Sequence, residues 1–390
     1  MVKKLLATFV AVVLVVEIVA LVRPAPKIMP AVLQPQPAAA VAVDLPWPTY
    51  GQAALGAQGH GLLQTNGQQA PVPIASVTKL ITALAILEKK PLAINRPGPS
   101  ITLDQADLDS FNYYYLNDGS VSAVKAGETI TLQQALSALL VPSSNNMADS
   151  LTRWAFGSPQ AYLDYANQMV KKLNMKQTTV KSASGFSNET TSTATDLVTL
   201  GQAVLANPVL ADIVSKKNVT IPAGGMVNST NWLLGVDNII GIKTGNTDMA
   251  GGCYLFAAKR PIHGQEITLI GAVLSAPQLT VAMRDSQGLI RSASQAFSLV
   301  KPVASGQVLG QYRTPWGTSV KAVGSKDVSL LVWQGRTPNV TVDIDTVRPP
   351  AKAGRAVGTA TAAAGSQSST VPVILKDDLP GPAISWRLWH

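Results

Sequence analysis

The hydrophobic period of residues 46–300 changes twice, and this change constrains the fold more than any other feature of the sequence. The segment opens with two short strand-like runs, Gln52–Ala57 and Gly61–Gln64, followed by a tight Asn66-Gly67 turn. Apolar residues then recur at helical spacing up to about residue 206. This part predicts helices over about Ser76–Lys89, Thr131–Leu140, Asn146–Phe156, Ser158–Leu173 and Ala194–Ala206.

Strand-like runs return after residue 235 and end in one more helix. The runs are rich in β-branched and aromatic residues, and the predicted elements are strands over Ile239–Thr244, Cys253–Lys259 and Ile267–Leu274 and a helix over about Val281–Leu299. Strands from both ends of the segment must share a sheet if their apolar faces are to be buried. We therefore expect an α/β domain over residues 46–300, with a mixed sheet covered by helices.

The two ends of the chain differ from this domain in their residue pattern. Residues 301–390 carry short strand-like runs separated by Gly, Pro and Asp, which predicts a small all-β domain of the sandwich type. Residues 1–27 combine Lys3 and Lys4 with an apolar run from Leu5 to Val22. This pattern is typical of an export signal or a membrane anchor.

An uncleaved anchor is the favoured interpretation of that segment, with the rest of the chain outside the cytoplasm. A cleaved signal would use the alanine-rich stretch Pro37–Val43 instead. The proline-rich residues 28–45 predict an extended, poorly packed linker.

Charge and cysteine content exclude several classes of protein. Lys and Arg exceed Asp and Glu by 31 to 22, a net charge of +9, but the excess forms no basic tract with interleaved aromatics, so nucleic acid is not expected as a partner. The single cysteine, Cys253, rules out an intramolecular disulfide or a cysteine metal cluster. Three scattered histidines argue against a zinc peptidase and a Ser-His-Asp hydrolase, and we expect no metal and no cofactor.

Three short motifs occur in a fixed order in contexts that suit catalysis. They are Ser76-Val77-Thr78-Lys79 at a helix start, Ser144-Asn145-Asn146 in a break between helices, and Lys243-Thr244-Gly245 at a strand end. Each is weak alone. Taken separately, Ser76 could be a helix N-cap and Lys79 a solvated first-turn lysine. The second motif could be an ordinary helix cap and the third a turn after a strand. The presence of all three motifs together favours an active site.

The first motif supplies a nucleophile and its base. A serine hydroxyl needs a base, and Lys79 lies one helical turn after Ser76, so both side chains share a face. Burial, the helix N-terminus and a second cation, for which Lys243 is the candidate, all disfavour the charged form of Lys79.

The other two motifs supply the remaining roles. Ser144 can relay a proton between Lys79 and the leaving amine, and the Asn146 amide can position Lys79 or the substrate. The backbone N–H groups of Ser76 and Asn246 would form the oxyanion hole. Gly245 leaves the strand edge open to an extended substrate, and Lys243 and Thr244 are placed to bind a terminal carboxylate.

These motifs and their flanks resemble the D-alanyl-D-alanine carboxypeptidases, the low-molecular-mass penicillin-binding proteins. The similarity covers about residues 46–299 and includes Ala75–Ala83, Pro142–Ala148, Ser184-Gly185-Phe186, Ser192–Leu197, Gly241–Thr247 and Ala250–Cys253. Met147 departs from the pattern, because an aspartate is common there.

The resemblance implies a serine β-lactamase/transpeptidase-like domain, followed by the family's β-rich domain, in the bacterial cell envelope. It implies Ser76 as the acylated residue and Lys79 as its base. The substrates would be peptidoglycan stem peptides ending in D-Ala-D-Ala, and β-lactam antibiotics would be inhibitors. Many members end in an amphipathic membrane helix; none is predicted at residues 386–390, which favours the N-terminal segment as the contact with the cytoplasmic membrane. Arg284 is a weak candidate for the arginine that helps bind the substrate carboxylate.

Three other functions compete with the carboxypeptidase. An endopeptidase that cuts peptidoglycan cross-links could share every motif. A β-lactamase needs a deacylating carboxylate between the second and third motifs, usually within Glu-x-x-Leu-Asn; the one glutamate there, Glu189, precedes Thr-Thr-Ser. A catalytically silent envelope-binding protein would be free to lose the motif residues, and all four of these are present: Ser76, Lys79, Ser144 and Lys243.

Overall fold

The computed structural model describes residues 2–36 and 41–389. Residues 37–40, which carry most of the candidate cleavage site, lie outside the described residues. The helices are α1 (Val2–Val22), α2 (Thr78–Lys89), α3 (Gln105–Leu116), α4 (Leu132–Leu140), α5 (Asn145–Phe156), α6 (Pro159–Lys172), α7 (Ala194–Ala206), α8 (Pro208–Val214), α9 (Leu279–Gln295) and α10 (Ile384–Trp389). Single 3-10 turns span Ala75–Val77 and Val236–Asn238.

The strands are short in the first half of the chain and longer in the second. They are β1 (Pro30–Val32), β2 (Gln52–Ala57), β3 (Gly61–Asn66), β4 (Val72–Pro73), β5 (Ser100–Thr102), β6 (Thr129–Thr131), β7 (Thr191–Ser192), β8 (Asn218–Ile221), β9 (Gly225–Asn228), β10 (Ile239–Thr247), β11 (Gly251–Ile262), β12 (Gln265–Ala276), β13 (Phe297–Val303), β14 (Val308–Arg313), β15 (Ser319–Gly324), β16 (Val328–Trp333), β17 (Asn339–Ile344), β18 (Ala356–Ala364) and β19 (Gln367–Leu375). The chain forms two compact units, Val43–Phe297 and Met1–Ala42 together with Ser298–His390.

The first unit is built on a five-stranded sheet in the order β10-β11-β12-β2-β3. Strands from both ends of the segment meet in this sheet, as predicted, because β12 pairs with β2. All four pairings are antiparallel, whereas the predicted sheet was mixed. Three of the pairings, β2–β3, β10–β11 and β11–β12, must be antiparallel because tight turns join their strands. The fourth, β12–β2, joins the two ends of the segment. Strand β10 lies at one edge of the sheet.

The helical block forms as the period predicts, with boundaries shifted by a few residues. Helix α4 begins with the predicted capping box, in which Gln134 N–H donates to Thr131 Oγ1 at 3.2 Å and Thr131 N–H donates to Gln134 Oε1 at 2.9 Å. Helix α2 packs into the core of this unit, and its residues Leu80 and Ile81 are fully buried. Helix α3 was not predicted, because its sequence QADLDSFNYYYL has no apolar stripe at helical spacing.

The second unit contains a six-stranded sheet in the order β1-β14-β15-β19-β18-β17 and the pair β13-β16. It is β-rich, as expected from residues 301–390, and its core includes fully buried Leu309, Tyr312 and Val373. Helix α10, a short helix, closes its described part.

Residues 28–36 are not the loosely packed linker that their prolines suggested. Strand β1 pairs with β14, and Ile28, 5% exposed, exchanges backbone hydrogen bonds of 2.8 and 3.0 Å with Val347. Pro30 takes the first position of an edge strand, where its missing N–H costs no ladder bond. The alternation of apolar and proline residues therefore serves an edge strand here.

Helix α1 is apolar and fully outside the packed cores. Residues 4–22 are long and apolar enough to cross a membrane by length and composition, and none of that span is buried. A signal sequence near an N-terminus has the same properties.

Candidate active site

The turn that carries Ser76 is held in an unusual backbone conformation. Ala75 has a φ of +45°, a region that costs a non-glycine residue about 1–3 kcal/mol and is common at active sites. The turn is fixed because Thr78 Oγ1 donates to Ala75 O at 2.8 Å. Gly185, at a φ of +71°, packs on it so closely that a Cβ would lie 1.9 Å from Ala75 O. Ser76 itself is half-buried, while both neighbours in sequence are buried.

Lys79 lies behind Ser76 with all three of its ammonium donors directed at neutral oxygens. Its Nζ is 2.8 Å from Ser76 Oγ, 2.7 Å from Asn145 Oδ1 and 2.8 Å from the carbonyl oxygen of Ser184. The side chain is fully buried. Ser76 makes no cap hydrogen bond to helix α2, so the structure has neither the capping serine nor the solvated lysine of the alternative interpretation.

The second motif lies one residue earlier than the sequence suggested. Asn145, and not Asn146, contacts Lys79. Asn146 instead faces Ser122, accepting from its N–H at 3.0 Å and donating to its carbonyl at 2.9 Å. Asn146 therefore holds a neighbouring loop, and the role of positioning Lys79 falls to Asn145.

Ser144 is likewise turned away from Lys79. It is fully buried, and its hydroxyl is hydrogen-bonded to that of Ser122. Ser143, the preceding residue, has a φ of +69° and is 3% exposed. Among the described residues, its hydroxyl makes no hydrogen bond. In this register Asn146, rather than Met147, occupies the position where the family commonly has an aspartate.

Burial lowers the pKa values of the two lysines of the site, Lys79 and Lys243. Burial lowers the pKa of Lys79 well below its ordinary value, the nearby Lys243 ammonium lowers it further, and the Asp149 carboxylate opposes both. Burial also lowers the pKa of Lys243 to about 7. Burial and the Lys243 charge therefore favour the neutral form of Lys79, which a general base requires.

The third motif runs along the edge strand β10, beside the Ser76 turn. A Cβ on Gly245 would lie 2.9 Å from Ile74 O and 3.1 Å from Ser76 N, so the absence of a side chain lets the strand approach the nucleophile. This close approach is an additional reason for glycine besides the open substrate edge expected from the sequence. Lys243 is 1% exposed, and its Nζ donates to Thr244 O at 3.1 Å.

Two further contacts position the ends of this strand segment. Thr244 Oγ1 is 2.6 Å from Thr230 Oγ1. Asn246 is exposed, and the next residue, Thr247, donates from its Oγ1 to Asn188 Oδ1 at 2.8 Å. This last bond ties the loop that carries Ser184 to β10.

Arg284 is engaged elsewhere. It lies on α9, its side chain is 70% exposed, and its Nε donates to Asp285 Oδ1 at 3.0 Å. The carboxylate of Asp285 also accepts from Tyr50. These contacts give Arg284 no link to the Ser76 cluster.

Several residues of the site had no signal in the sequence. Ser122 and Thr230 belong to no motif, and their roles follow from contacts with Asn146 and Thr244, which are 24 and 14 positions away. Asn145 was the middle residue of the predicted triplet and was passed over, because a Ser-Ser-Asn-Asn run fits the motif in two registers. The Ser184 loop was indicated only by the resemblance of its sequence, Ser184-Gly185-Phe186, to that of a known family.

Residues 56–278 match the family described as D-alanyl-D-alanine carboxypeptidase. The chain is 23% identical over 343 residues to the D-alanyl-D-alanine carboxypeptidase DacC of Escherichia coli, covering 85% of this chain and 84% of that protein. It is 28% identical over 216 residues to a D-alanyl-D-alanine endopeptidase of Pseudomonas aeruginosa, covering 52% and 65%. The fold matches penicillin-binding protein 5 of Haemophilus influenzae with a TM-score of 0.62 at 19% identity, covering 87% of this chain and 100% of that one.

Proposed function

The chain belongs to the D-alanyl-D-alanine carboxypeptidase family, and we propose that Ser76 is the residue that its substrates acylate. The protein is a serine-type D-alanyl-D-alanine carboxypeptidase, a hydrolase of cell-wall peptides. The observation that carries the assignment of Ser76 is the 2.8 Å contact between its half-buried hydroxyl and the buried Nζ of Lys79. That distance permits direct proton transfer.

Acylation then proceeds by attack of Ser76 on the carbonyl of the penultimate D-alanine. Lys79 takes the proton of Ser76, and the developing oxyanion is stabilised by the N–H groups of Ser76 and Asn246. The C–N bond breaks, and the leaving D-alanine nitrogen receives the proton through the hydroxyl of Ser143, which replaces Ser144 in this role. Water later hydrolyses the ester by the reverse proton path.

The substrate is proposed to be a peptidoglycan stem peptide ending in D-Ala-D-Ala, with β-lactams as inhibitors that acylate the same serine. An extended peptide can pair with the free edge of β10, which ends beside Ser76. Lys243 and Thr244 bind the terminal carboxylate in this proposal. Buried cations form the stronger, charge-assisted hydrogen bonds to carboxylates.

A D,D-endopeptidase acting on peptidoglycan cross-links is the second candidate. The 28% identity with the Pseudomonas aeruginosa endopeptidase favours it. An endopeptidase does not require a free carboxylate after the scissile bond, whereas a carboxypeptidase does. Comparing peptides with free and amidated D-alanine ends therefore separates the two.

We also propose that the protein works outside the cytoplasmic membrane in the bacterial envelope, attached by α1 or released after its cleavage. The apolar, unburied residues 4–22 support this location. Fractionation of the native host distinguishes the alternatives, since an anchored chain remains with membranes and a cleaved one is recovered in soluble form with a new N-terminus.

Labelling with a fluorescent penicillin tests the role of Ser76. The parent should gain one covalent adduct, located at Ser76 by intact and peptide mass, and Ser76→Ala should gain none. Ser305→Ala, which changes an exposed serine of the second unit, is the matched control and should label as the parent does. The adduct should persist far longer than the peptide acyl-enzyme, because the opened ring stays tethered and obstructs water. Turnover of penicillin many times per second would overturn the assignment in favour of a β-lactamase.

A further inference from the structure

Burial is the largest influence on the charge of Lys79, and because none of its three hydrogen-bond partners is a carboxylate, the remaining influences come from charged groups at longer range. Lys243 and Asp149 are the two charged groups that act on it, and they act in opposite directions. Lys243 belongs to the third motif, whereas Asp149 belongs to no motif. Asp149 is thus a half-buried carboxylate that acts on the general base although the motifs assign it no role.

The geometry of helix α5 places Asp149 behind Lys79. Asn145, at the start of α5, contacts Lys79, and Asp149 follows it by four residues, one helical turn along the same face. Its carboxylate accepts a hydrogen bond of 2.9 Å from Ser110 Oγ on α3.

A second connection runs from Asp149 to Lys79 through Tyr114. The hydroxyl of Tyr114, a buried residue, lies 3.5 Å from Asp149 Oδ1 and 3.5 Å from Ser184 Oγ. Ser184 supplies through its carbonyl the third acceptor of Lys79. Tyr114 is also held by an edge-to-face contact with Phe186, with ring centroids 5.2 Å apart. Asp149 is thus linked through Tyr114 to the loop that positions the base.

A cavity of about 460 Å³ opens on the far side of this loop. Its wall includes Asp149, Tyr114 and Ser184. The other titratable groups that face Asp149 from the packed elements are Asp107 of α3, Arg153 of α5, Tyr162 of α6 and Lys181 of the loop. Asp107 and Arg153 are paired with each other at 2.7 Å, whereas the two carboxylate oxygens of Asp149 accept from the hydroxyls of Ser110 and Tyr114.

We propose that Asp149 is a positioning residue of the acylation reaction, which sets the charge state of Lys79 and, through Tyr114, the position of Ser184. This inference rests on the proposed roles of Ser76 and Lys79. Burial raises the pKa of Asp149, and its hydrogen bonds from Ser110 and Tyr114 and the charge of Lys79 oppose that rise. The ionised carboxylate keeps part of the Lys79 population protonated, so it moves the onset of base activity to higher pH.

The pH dependence of Ser76 acylation by a fluorescent penicillin tests the proposal in the full chain. Asp149→Asn keeps acceptors and donors for Ser110 and Tyr114 but removes the charge. In the parent, the acylation rate rises with pH along the acid limb of its pH profile, as Lys79 loses its proton. We expect the midpoint of this limb to lie about 0.5–1 pH unit lower in Asp149→Asn, so that acylation at pH values below the midpoint becomes about three to ten times faster than in the parent. The matched control is Asp109→Asn, which removes an exposed charge from α3 and should leave the limb unchanged.

A second pair of variants covers the case in which Asp149→Asn does not fold. Ser110→Ala removes a hydrogen bond that stabilises the ionised carboxylate, so the limb should shift in the same direction by a smaller amount. Tyr114→Phe keeps the ring and removes the link to Ser184, so the acylation rate should fall several-fold with little shift of the limb. An unchanged limb in a folded Asp149→Asn or Ser110→Ala protein would overturn this inference alone. Loss of all labelling at Ser76 in the parent would instead overturn the proposed function.

Discussion

The register of the second motif is tested by replacing two neighbouring asparagines. Asn145→Ala and Asn146→Ala remove the same atoms from adjacent positions of α5, and both side chains are buried. Their partners differ, because Asn145 contacts the Lys79 ammonium and Asn146 contacts the backbone of Ser122. We expect the first change to damage acylation and the second to damage stability.

The contacts set the size of each effect. In the acylation transition state Lys79 carries the proton of Ser76, so its 2.7 Å bond to Asn145 is charge-assisted and worth about 1.5–3 kcal/mol. Losing it lowers the acylation rate by about 10- to 150-fold. Lys79 keeps two acceptors, so the protein should remain folded.

Asn146→Ala leaves the buried N–H and carbonyl of Ser122 without partners, at about 1–3 kcal/mol for each group. For a unit of this size each kcal/mol lowers the melting temperature by about 2–4 °C. The two Ser122 groups together therefore predict that the melting temperature decreases by roughly 5–20 °C. At temperatures where the variant is folded, its acylation rate should stay within about threefold of the parent, because it does not touch Lys79.

Both variants are measured with the same two assays. Stopped-flow labelling with a fluorescent penicillin yields the second-order acylation rate constant, and differential scanning calorimetry yields the melting temperature. The reasoning is refuted if Asn146→Ala loses acylation while Asn145→Ala keeps it. That result would restore the motif register first predicted from the sequence.

Three other outcomes follow from the structure. As pH rises through about 7, Lys243 should lose its charge. The ratio of kcat/KM for peptides with free D-alanine ends to kcat/KM for peptides with amidated ends should therefore decline; a constant ratio from about pH 6 to 9 would argue against carboxylate recognition by Lys243. Gly185→Ala should lower both the melting temperature and the acylation rate, because its Cβ would lie 1.9 Å from Ala75 O; a stable, active variant would show that the close packing is unnecessary. A chain starting at Asp44 should be labelled by penicillin as well as one starting at Pro24. Its β-rich unit should be less stable, because it lacks strand β1 and the buried Ile28, whose burial is worth about 1.5–3 kcal/mol; equal melting curves of the two chains would contradict this.

The agreement between sequence and structure is greatest where a function depends on local spacing. Ser76 and Lys79 are three residues apart at a helix start, and helix geometry alone brings their side chains together. The Thr131 capping box and the helical periods of residues 132–206 are equally local, and the helices occur where they were predicted. Helix α3 was missed, because it buries few residues and has no stripe to reveal it.

Features that depend on distant contacts were decided by the tertiary structure. The Ser143–Asn146 run satisfies the same motif in two registers, and only the loop around Ser122 determines which asparagine turns toward Lys79. The proline-rich residues 28–36 become an edge strand because β14 lies more than 270 residues later in the chain and offers an unpaired edge. The packing of α2 against α5 brings Asp149 near Lys79, and the packing of α3 against α5 supplies its hydrogen-bond partners Ser110 and Tyr114. The sequence by itself thus determined the residue types of the site, the nucleophile–base pair and the alternation of strands and helices, since these follow from short-range geometry. The register of the second motif, the antiparallel sheet and the electrostatic surroundings of the base were decided only by the packing of segments distant in sequence.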